Sequence, residues 1–272
     1  MRRIITTVLT VFLATTGSAL AQQELGARSN PLVPEKSASR IYVGPVVGYN
    51  RSLQSSGFQS VAGDVLCPDF TEGTGNGYYF GGSIEYLLGK PRESKSSIIG
   101  RVIYEYLPGS YTVPGDRLPS LDDQNGDVVY STVNHTAEIK YSFLDVELIY
   151  KLNLFNSNFG IVVGPTIGFV LNSARVQQMN IIEPINAVFD PTFCPECEYT
   201  NNGQTVITGR DDIPDRSGVR IAVKAGVQYE MPIGKLLLVP CVYYNFGITE
   251  VSPSANLRIN ALQIGFDLRF AL

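Results

Sequence analysis

The last eleven residues alternate without an error. Leu262, Ile264, Phe266, Leu268, Phe270 and Leu272 are apolar, and Gln263, Gly265, Asp267, Arg269 and Ala271 between them are small or polar. A period of two sends alternate side chains to opposite faces of a β-strand. One face is therefore apolar, and the other carries Asp and Arg. A half-buried strand of a soluble sheet reads this way, and so does a strand that crosses a bilayer in a barrel.

The start of the chain bears on that choice. Residues 1–21 have the layout of a secretory signal: Arg2 and Arg3, a mostly apolar stretch from Ile4 to Ala14, then Ala19-Leu20-Ala21 as the cleavage site. The apolar stretch falls short of the roughly 20 residues that a helical span requires. No later run approaches that length, so export is expected, and any membrane crossing must be made by strands.

Losing Arg2 and Arg3 from 21 basic residues leaves 19 against 25 acidic ones. That acidic balance argues against nucleic acid, which calls for a basic patch. His135 is the single histidine, which excludes a His-rich metal site or a multi-His mechanism. No cofactor is expected. The cysteines are Cys67, Cys194, Cys197 and Cys241. An exported chain can form disulfides. Cys194-Pro195-Glu196-Cys197 lies in a polar stretch with no βαβ pattern, so a loop disulfide is favoured over redox chemistry. Cys194 with Cys197 is the simplest pairing, and Cys67 with either is the alternative.

Eight segments read as strands: 41–51, 77–88, 98–107, 136–152, 159–172, 218–231, 236–249 and 257–272. Their connections differ in an ordered way. Three are short (89–97, 153–158 and 232–234), and they alternate with loops at 52–76, 108–135, 173–217 and 250–256. Short turns at one end and mostly long loops at the other match the periplasmic and outer ends of a membrane barrel.

Within the segments, one face collects large apolar residues and the other collects charge. Arg101, Lys151, Arg220, Lys224 and Arg269 share the charged face with Glu85, Glu105, Asp145, Glu147, Glu230 and Asp267. Five bases against six acids suit an enclosed ion-pair lattice. A soluble barrel would instead show its charge to water and bury its apolar face. Tyr49, Tyr78, Tyr86, Tyr106, Tyr150 and Tyr229 fall near segment ends on the apolar face, as interfacial girdles do. By the same register Cys241 faces the lumen near a short turn. A strand spans on the order of 30 Å, whereas a disulfide needs Cα atoms within about 7 Å, so a free thiol is expected there.

Val43-Gly44-Pro45-Val46-Val47-Gly48-Tyr49-Asn50 recurs as Val163-Gly164-Pro165-Thr166-Ile167-Gly168-Phe169. Tyr229-Glu230-Met231-Pro232-Ile233-Gly234-Lys235 leads into a strand ending Tyr244-Asn245-Phe246-Gly247-Ile248-Thr249. Over residues 40–272 this pattern resembles the outer-membrane β-barrel family of Bacteroidetes-type bacteria, including PorT-like proteins. It also fits small eight-stranded barrels of the OmpA and OmpX kind. The resemblance implies a fold and little about activity. Gly44, Gly48, Gly164 and Gly168 should face the lumen and leave room for long side chains. Pro45, Pro165 and Pro240 should sit at bulges or near a rim, since proline removes a ladder donor.

Three candidate sites remain. His135 precedes the fourth segment, with Asp127, Ser131 and Glu138 nearby in sequence, the residue types of a lipid-modifying enzyme; spacing shows no positioned partner, so an exposed histidine at a loop base is expected. Asp122-Asp123-Gln124-Asn125-Gly126-Asp127 resembles half of a calcium loop, but Thr132 stands where a ligating Glu is needed, so a solvated turn is expected. Loop 173–217 mixes acidic and apolar residues and suits either a partner or a fold over the barrel mouth.

The expectation is an all-β, eight-stranded antiparallel transmembrane up-and-down barrel with short periplasmic turns and long outer loops. Residues 1–21 form the signal peptide, 22–39 a periplasmic extension and 40–272 the barrel. The role is non-enzymatic: structural, adhesive, or accessory to envelope assembly or secretion. The alternatives are a narrow pore, a lipid-modifying enzyme and a soluble ligand-binding barrel. The expected partners are the outer-membrane bilayer, the barrel-assembly machinery and a protein met through loops 108–135 and 173–217. The chain is expected to act as a monomer in the bacterial outer membrane.

Overall fold

The computed structural model describes residues 39–59, 69–89, 94–155, 157–234 and 236–272. The expected signal peptide, nearly all of the N-terminal extension, and Cys67 lie outside the described residues. The barrel strands are β1 (Ile41–Gln59), β2 (Asp69–Leu87), β3 (Ser96–Asp122), β4 (Val128–Asn153), β5 (Phe159–Glu183), β6 (Val219–Tyr229), β7 (Leu236–Gly247) and β8 (Arg258–Ala271). Each pairs antiparallel with its neighbour in sequence, and β8 returns to β1 from Tyr42↔Ala271 to Ser55↔Arg258. The ring is closed, so the membrane part has no free edge. Among the described residues no helix is long and apolar enough to cross a membrane.

Alternation settles which side faces lipid. Val47, Phe80, Val102, Leu148, Ile167, Ile264 and Phe266 point outward and are exposed, Leu148 at 58% and Phe266 at 51%. The charged partners of those positions are buried inside. This overturns the soluble-barrel alternative, which needs the opposite arrangement. The outward belt on β4 runs from Leu152 to Leu144 and gives way above to Ser142 and Lys140. Tyr49 and Tyr78 mark its outer limit, and Tyr86 and Tyr150 its inner one. These are the depths at which amphipathic rings are stable.

The strands are unequal. β3, β4 and β5 have 27, 26 and 25 residues, whereas β6, β7 and β8 have 11, 12 and 14. Sequence reading ended the third segment at residue 107 and made 108–135 a loop. It is instead the upper part of a β3–β4 hairpin paired as far as Leu121↔Val128. Its tip turns through Asn125 and Gly126, and Gly126 holds φ 74°, which glycine adopts without steric cost. Loop 173–217 is also largely extended: β5 runs to Glu183, and residues 205–211 pair back onto it. The result is a wall on one side of the ring. From Leu144 to Val128 it rises roughly 40 Å above the belt, taking about 3.3 Å per residue and a barrel tilt near 40°.

Above Thr74↔Ser110, β3 pairs on its outer side, among the described residues, only with residues 187–188 at its tip. The edge it leaves carries Pro114, Pro119, a register shift between Pro114 and Arg117, and the charge of Arg117 itself. Each of these devices blocks strand addition.

The prolines expected at bulges sit elsewhere. Pro45, Pro165 and Pro240 lie within the belt, and the register is the same on both sides of each. The pairing lapses instead on one flank. It is missing between Val43 and Val46 toward β8, between Thr166 and Val163 toward β4, and from Cys241 to Leu238 toward β6 and the residues after it. The lost donor is accommodated as a short gap in one ladder, and the register shifts fall at other places, such as Ser142/Phe143.

Candidate functional site: a sealed lumen beneath a projecting wall

The lower lumen holds the charged faces of β2, β3, β4, β6 and β8. Lys151 Nζ lies 2.5 Å from Glu85 Oε1 and also contacts Glu230. Arg269 bridges Glu85 Oε2 at 2.5 Å and Asp267 Oδ2 at 2.6 Å. Arg101 reaches the same Asp267 oxygen at 2.8 Å and Glu147 at 3.8 Å, and Lys224 pairs with Glu147. These contacts join eight side chains into one connected network across the barrel. Arg220 pairs separately with Glu105 at 3.3 Å, and Gln263 and Asn50 donate to the other oxygen of Glu105. All five bases are paired. Glu230, at the periplasmic end, is half-buried, and the other charged members are buried.

Asp145 is the exception. It is fully buried and makes no direct ion pair among the described residues; it lies beside Glu105, with Arg220 the nearby cation.

Sequence reasoning missed several lumen groups that share the network. Tyr243 accepts from Arg101 at 2.8 Å, donates to Gln228 at 3.1 Å, and lies under the Arg101 guanidinium, 4.9 Å from ring centroid to Cζ. Tyr79 crosses the lumen against Gly48 and Gly265, where a β-carbon would collide with its ring and its hydroxyl respectively. Their positional parity gives them away: Tyr243 is in step with Cys241, and Tyr79 with Glu85.

The upper lumen is dry. Phe58, Phe70, Leu107, Tyr111, Ile139 and Phe143 pack there with Ile213 and Val251 from the outer loops. Phe58, Phe70 and Tyr111 form a ring triad with centroids 5.1–5.9 Å apart. The barrel is thus closed by charge below and by apolar packing above, as expected for eight strands.

On the wall, residues 184–204 fold across the inner face of β3–β5. Phe189 packs on Val133, Met179 and Val206, and residues 187–188 pair with the end of β3. Of the two roles open to loop 173–217, the wall takes most of it, while Ile213 enters the mouth cluster. Cys194 and Cys197 form a disulfide with Cα atoms 5.3 Å apart. Tyr199 Oη donates to the Cys194 carbonyl at 3.1 Å.

Cys241 is a buried free thiol, 3.9 Å from Tyr79 Oη. We expect it to resist maleimide in the folded barrel and to react on denaturation. Mass mapping of its peptide checks this, and labelling without unfolding would contradict the burial.

The enzyme-like residues do not converge. His135 is not an exposed residue at a loop base, because the strand continues through it: it is buried on the inner face of the wall against Gly115. Ser131 shares that face but lies four residues along the strand, roughly 13 Å away. Glu138 points outward and pairs with Lys140 at 3.2 Å, and Asp127 is at the exposed tip. The Asp122–Asp127 stretch is a turn knitted by its own side chains: Asp122 accepts from the Gln124 amide and Asn125 from the Asp127 amide. Among the described residues no group of acids, His or Cys is placed to hold a metal ion.

Closed ring, apolar exterior and filled charged lumen together define a membrane-spanning β-barrel of the outer-membrane type. No family model matches the chain, and no curated protein matches it in sequence. Among solved structures it is similar to Ail, the attachment invasion locus protein of Yersinia pestis, solved with the heparin analogue sucrose octasulfate. That match has 10% identity over 85% of this chain and 99% of that one, with a TM-score of 0.32. The outer membrane protein OprG of Pseudomonas aeruginosa matches at 11% identity over 86% and 98%, TM-score 0.34. The outer membrane protease OmpT of Escherichia coli matches at 9% over 85% and 96%, TM-score 0.33.

Proposed function

We propose that this chain is a non-enzymatic bacterial outer-membrane protein that presents its wall to an extracellular or envelope partner. Residues 1–21 would export it, and the barrel-assembly machinery would insert it as a monomer. The repeated Val-Gly-Pro motif supports a place near the PorT-like barrels. One observation carries the reading: the lumen is filled twice over, while the strands that bear the wall continue far past the membrane. A filled lumen leaves the narrow-pore alternative without a path, and a wall of that height is more backbone than a barrel needs to span a bilayer.

Two measurements test it. The protein should remain with outer membranes after carbonate washing and show heat-modifiable migration, and it should give no porin-sized current in planar bilayers. Recovery as a soluble periplasmic protein, or a steady large conductance, would overturn the proposal. A variant with residues 113–135 replaced by an Asn-Gly turn, which joins the opposed pair Thr112↔Thr136, should keep the barrel, as heat-modifiability reports. It should lose any attachment that the full chain confers on cells.

A further inference from the structure

The top of the wall differs in chemistry from the rest of the molecule. It is built from residues 118–134 and 181–199, held together by Leu121↔Val188, Asp122↔Ala187 and Val133↔Ile181. These two stretches contain Asp122, Asp123, Asp127, Glu183, Asp190, Glu196 and Glu198 and not one Lys or Arg. The bordering cations are Arg117 and Arg210, and Arg210 reaches Glu198 at 3.4 Å. The same stretches expose Val128 (69%), Tyr130 (72%), Ile185 (87%), Ile182 and Phe193. Among the described residues, the other exposed large apolar side chains belong to the lipid belt or to the turns at its inner end.

By the same rise, Val128 stands roughly 40 Å above the belt and Ile182, level with Thr132, roughly 30 Å, out of reach of the bilayer that holds the barrel. The wall already buries an apolar cluster of its own beneath residues 184–204; Phe193 stacks on its Phe189, with ring centroids 6.1 Å apart, and the other four remain outside it. Exposed apolar groups rimmed by charge mark protein contact surfaces. The sign of the rim selects the occupant, because interfaces pair opposite potentials and like charge repels. Nucleic acid, an anionic lipid surface and a second copy meeting tip to tip all bring negative charge. The Pro-blocked edge of β3 also disfavours recognition by strand addition.

Resting on the display role proposed above, we infer that the wall tip docks a cationic polypeptide segment in which Lys or Arg alternates with apolar or aromatic residues. The carboxylates steer and orient it, and Tyr130 and Ile185 supply the apolar contact.

The test uses the full chain in zwitterionic lipid nanodiscs and a fluorescent peptide of Lys-Gly-Tyr repeats, with Glu-Gly-Tyr and Lys-Gly-Ser peptides as comparisons. Lys-Gly-Tyr should bind above empty discs, more tightly than either comparison. Its affinity should fall about tenfold between about 50 and about 500 mM salt. It should also fall in Asp123→Asn/Asp127→Asn/Glu196→Gln and, separately, in Tyr130→Ser/Ile185→Ser, with heat-modifiability confirming that both variants fold. Binding no better than to empty discs, equal binding by both variants, or preference for the acidic peptide, for DNA or for a second copy would each overturn the inference. Cell attachment separates the two proposals. If the carboxylate variant attaches like the parent, the cationic partner is refuted and the display role stands. If the wall-trimmed variant also attaches like the parent, the display role fails.

Discussion

Lys224→Ala should destabilise the folded barrel by about 3–5 kcal/mol, the range for removing one side of a buried ion pair. Lys224 and Glu147 are both buried, and Lys224 also lies 5.8 Å from the centroid of the Tyr243 ring. Without Lys224, Glu147 keeps only Arg101 NH1 at 3.8 Å, and a carboxylate would be left in a lumen with little else to solvate it. The comparison is Lys140→Ala, whose partner Glu138 is well exposed; that change should cost no more than about 1 kcal/mol. Asp145→Asn gives the opposite check. It replaces a buried acid that makes no direct ion pair and lies against the like group of Glu105, so it should be tolerated or stabilising. Denaturant unfolding in lipid vesicles reads all three. Equal effects for Lys224→Ala and Lys140→Ala would mean that the lumen is open to water.

Phe266→Arg should cost about 2–4 kcal/mol, the range for a cation at the bilayer midplane on the lipid face of a barrel. Phe266 is half exposed, midway along the outward row from Leu262 to Phe270. It is flanked by Val47 on β1 and Pro240 on β7. The neighbouring Asp267 points the other way and is buried in the lattice. Adjacent residues on one strand therefore answer oppositely to charge: one must not acquire it, and the other cannot lose it. The same unfolding measurement, with folded yield in vesicles, checks the expectation. A neutral outcome would place that face in water.

Much of this was legible because the bilayer enforces a period of two. Where one face of a strand meets lipid and the other a closed lumen, every residue must take a side, and the ten buried lattice charges together with Glu230 could be listed from parity alone. The wall escaped for the same reason. Above Leu144 no lipid demands alternation, so Thr132 and Asn134 on one side of β4 and Ser131 and His135 on the other read as loop. The signals present were Asn125-Gly126, a hairpin turn, and the unbroken parity of Val133, Ala137, Ile139 and Tyr141 into the lumen face. The cap of residues 184–204 had no local signal, since its stability comes from Val133, Met179 and Val206, which lie elsewhere in the chain. The dry upper lumen was hidden likewise, because Leu107, Tyr111 and Phe58 fell at or beyond the assumed strand ends.

The ladder gap at Pro45 falls on the joint between the first and last strands, the one formed between residues most distant in sequence. Inside a bilayer each backbone group without a partner costs several kcal/mol, since no water can replace the bond. That joint is consequently the compliant line of the cylinder. Amide exchange should begin there, and a pull on the two chain ends should part it before the β3–β4 pairing, which is continuous through the belt. A barrel whose last joint is also a weakened one can close late and reopen early, while its tall wall stays intact.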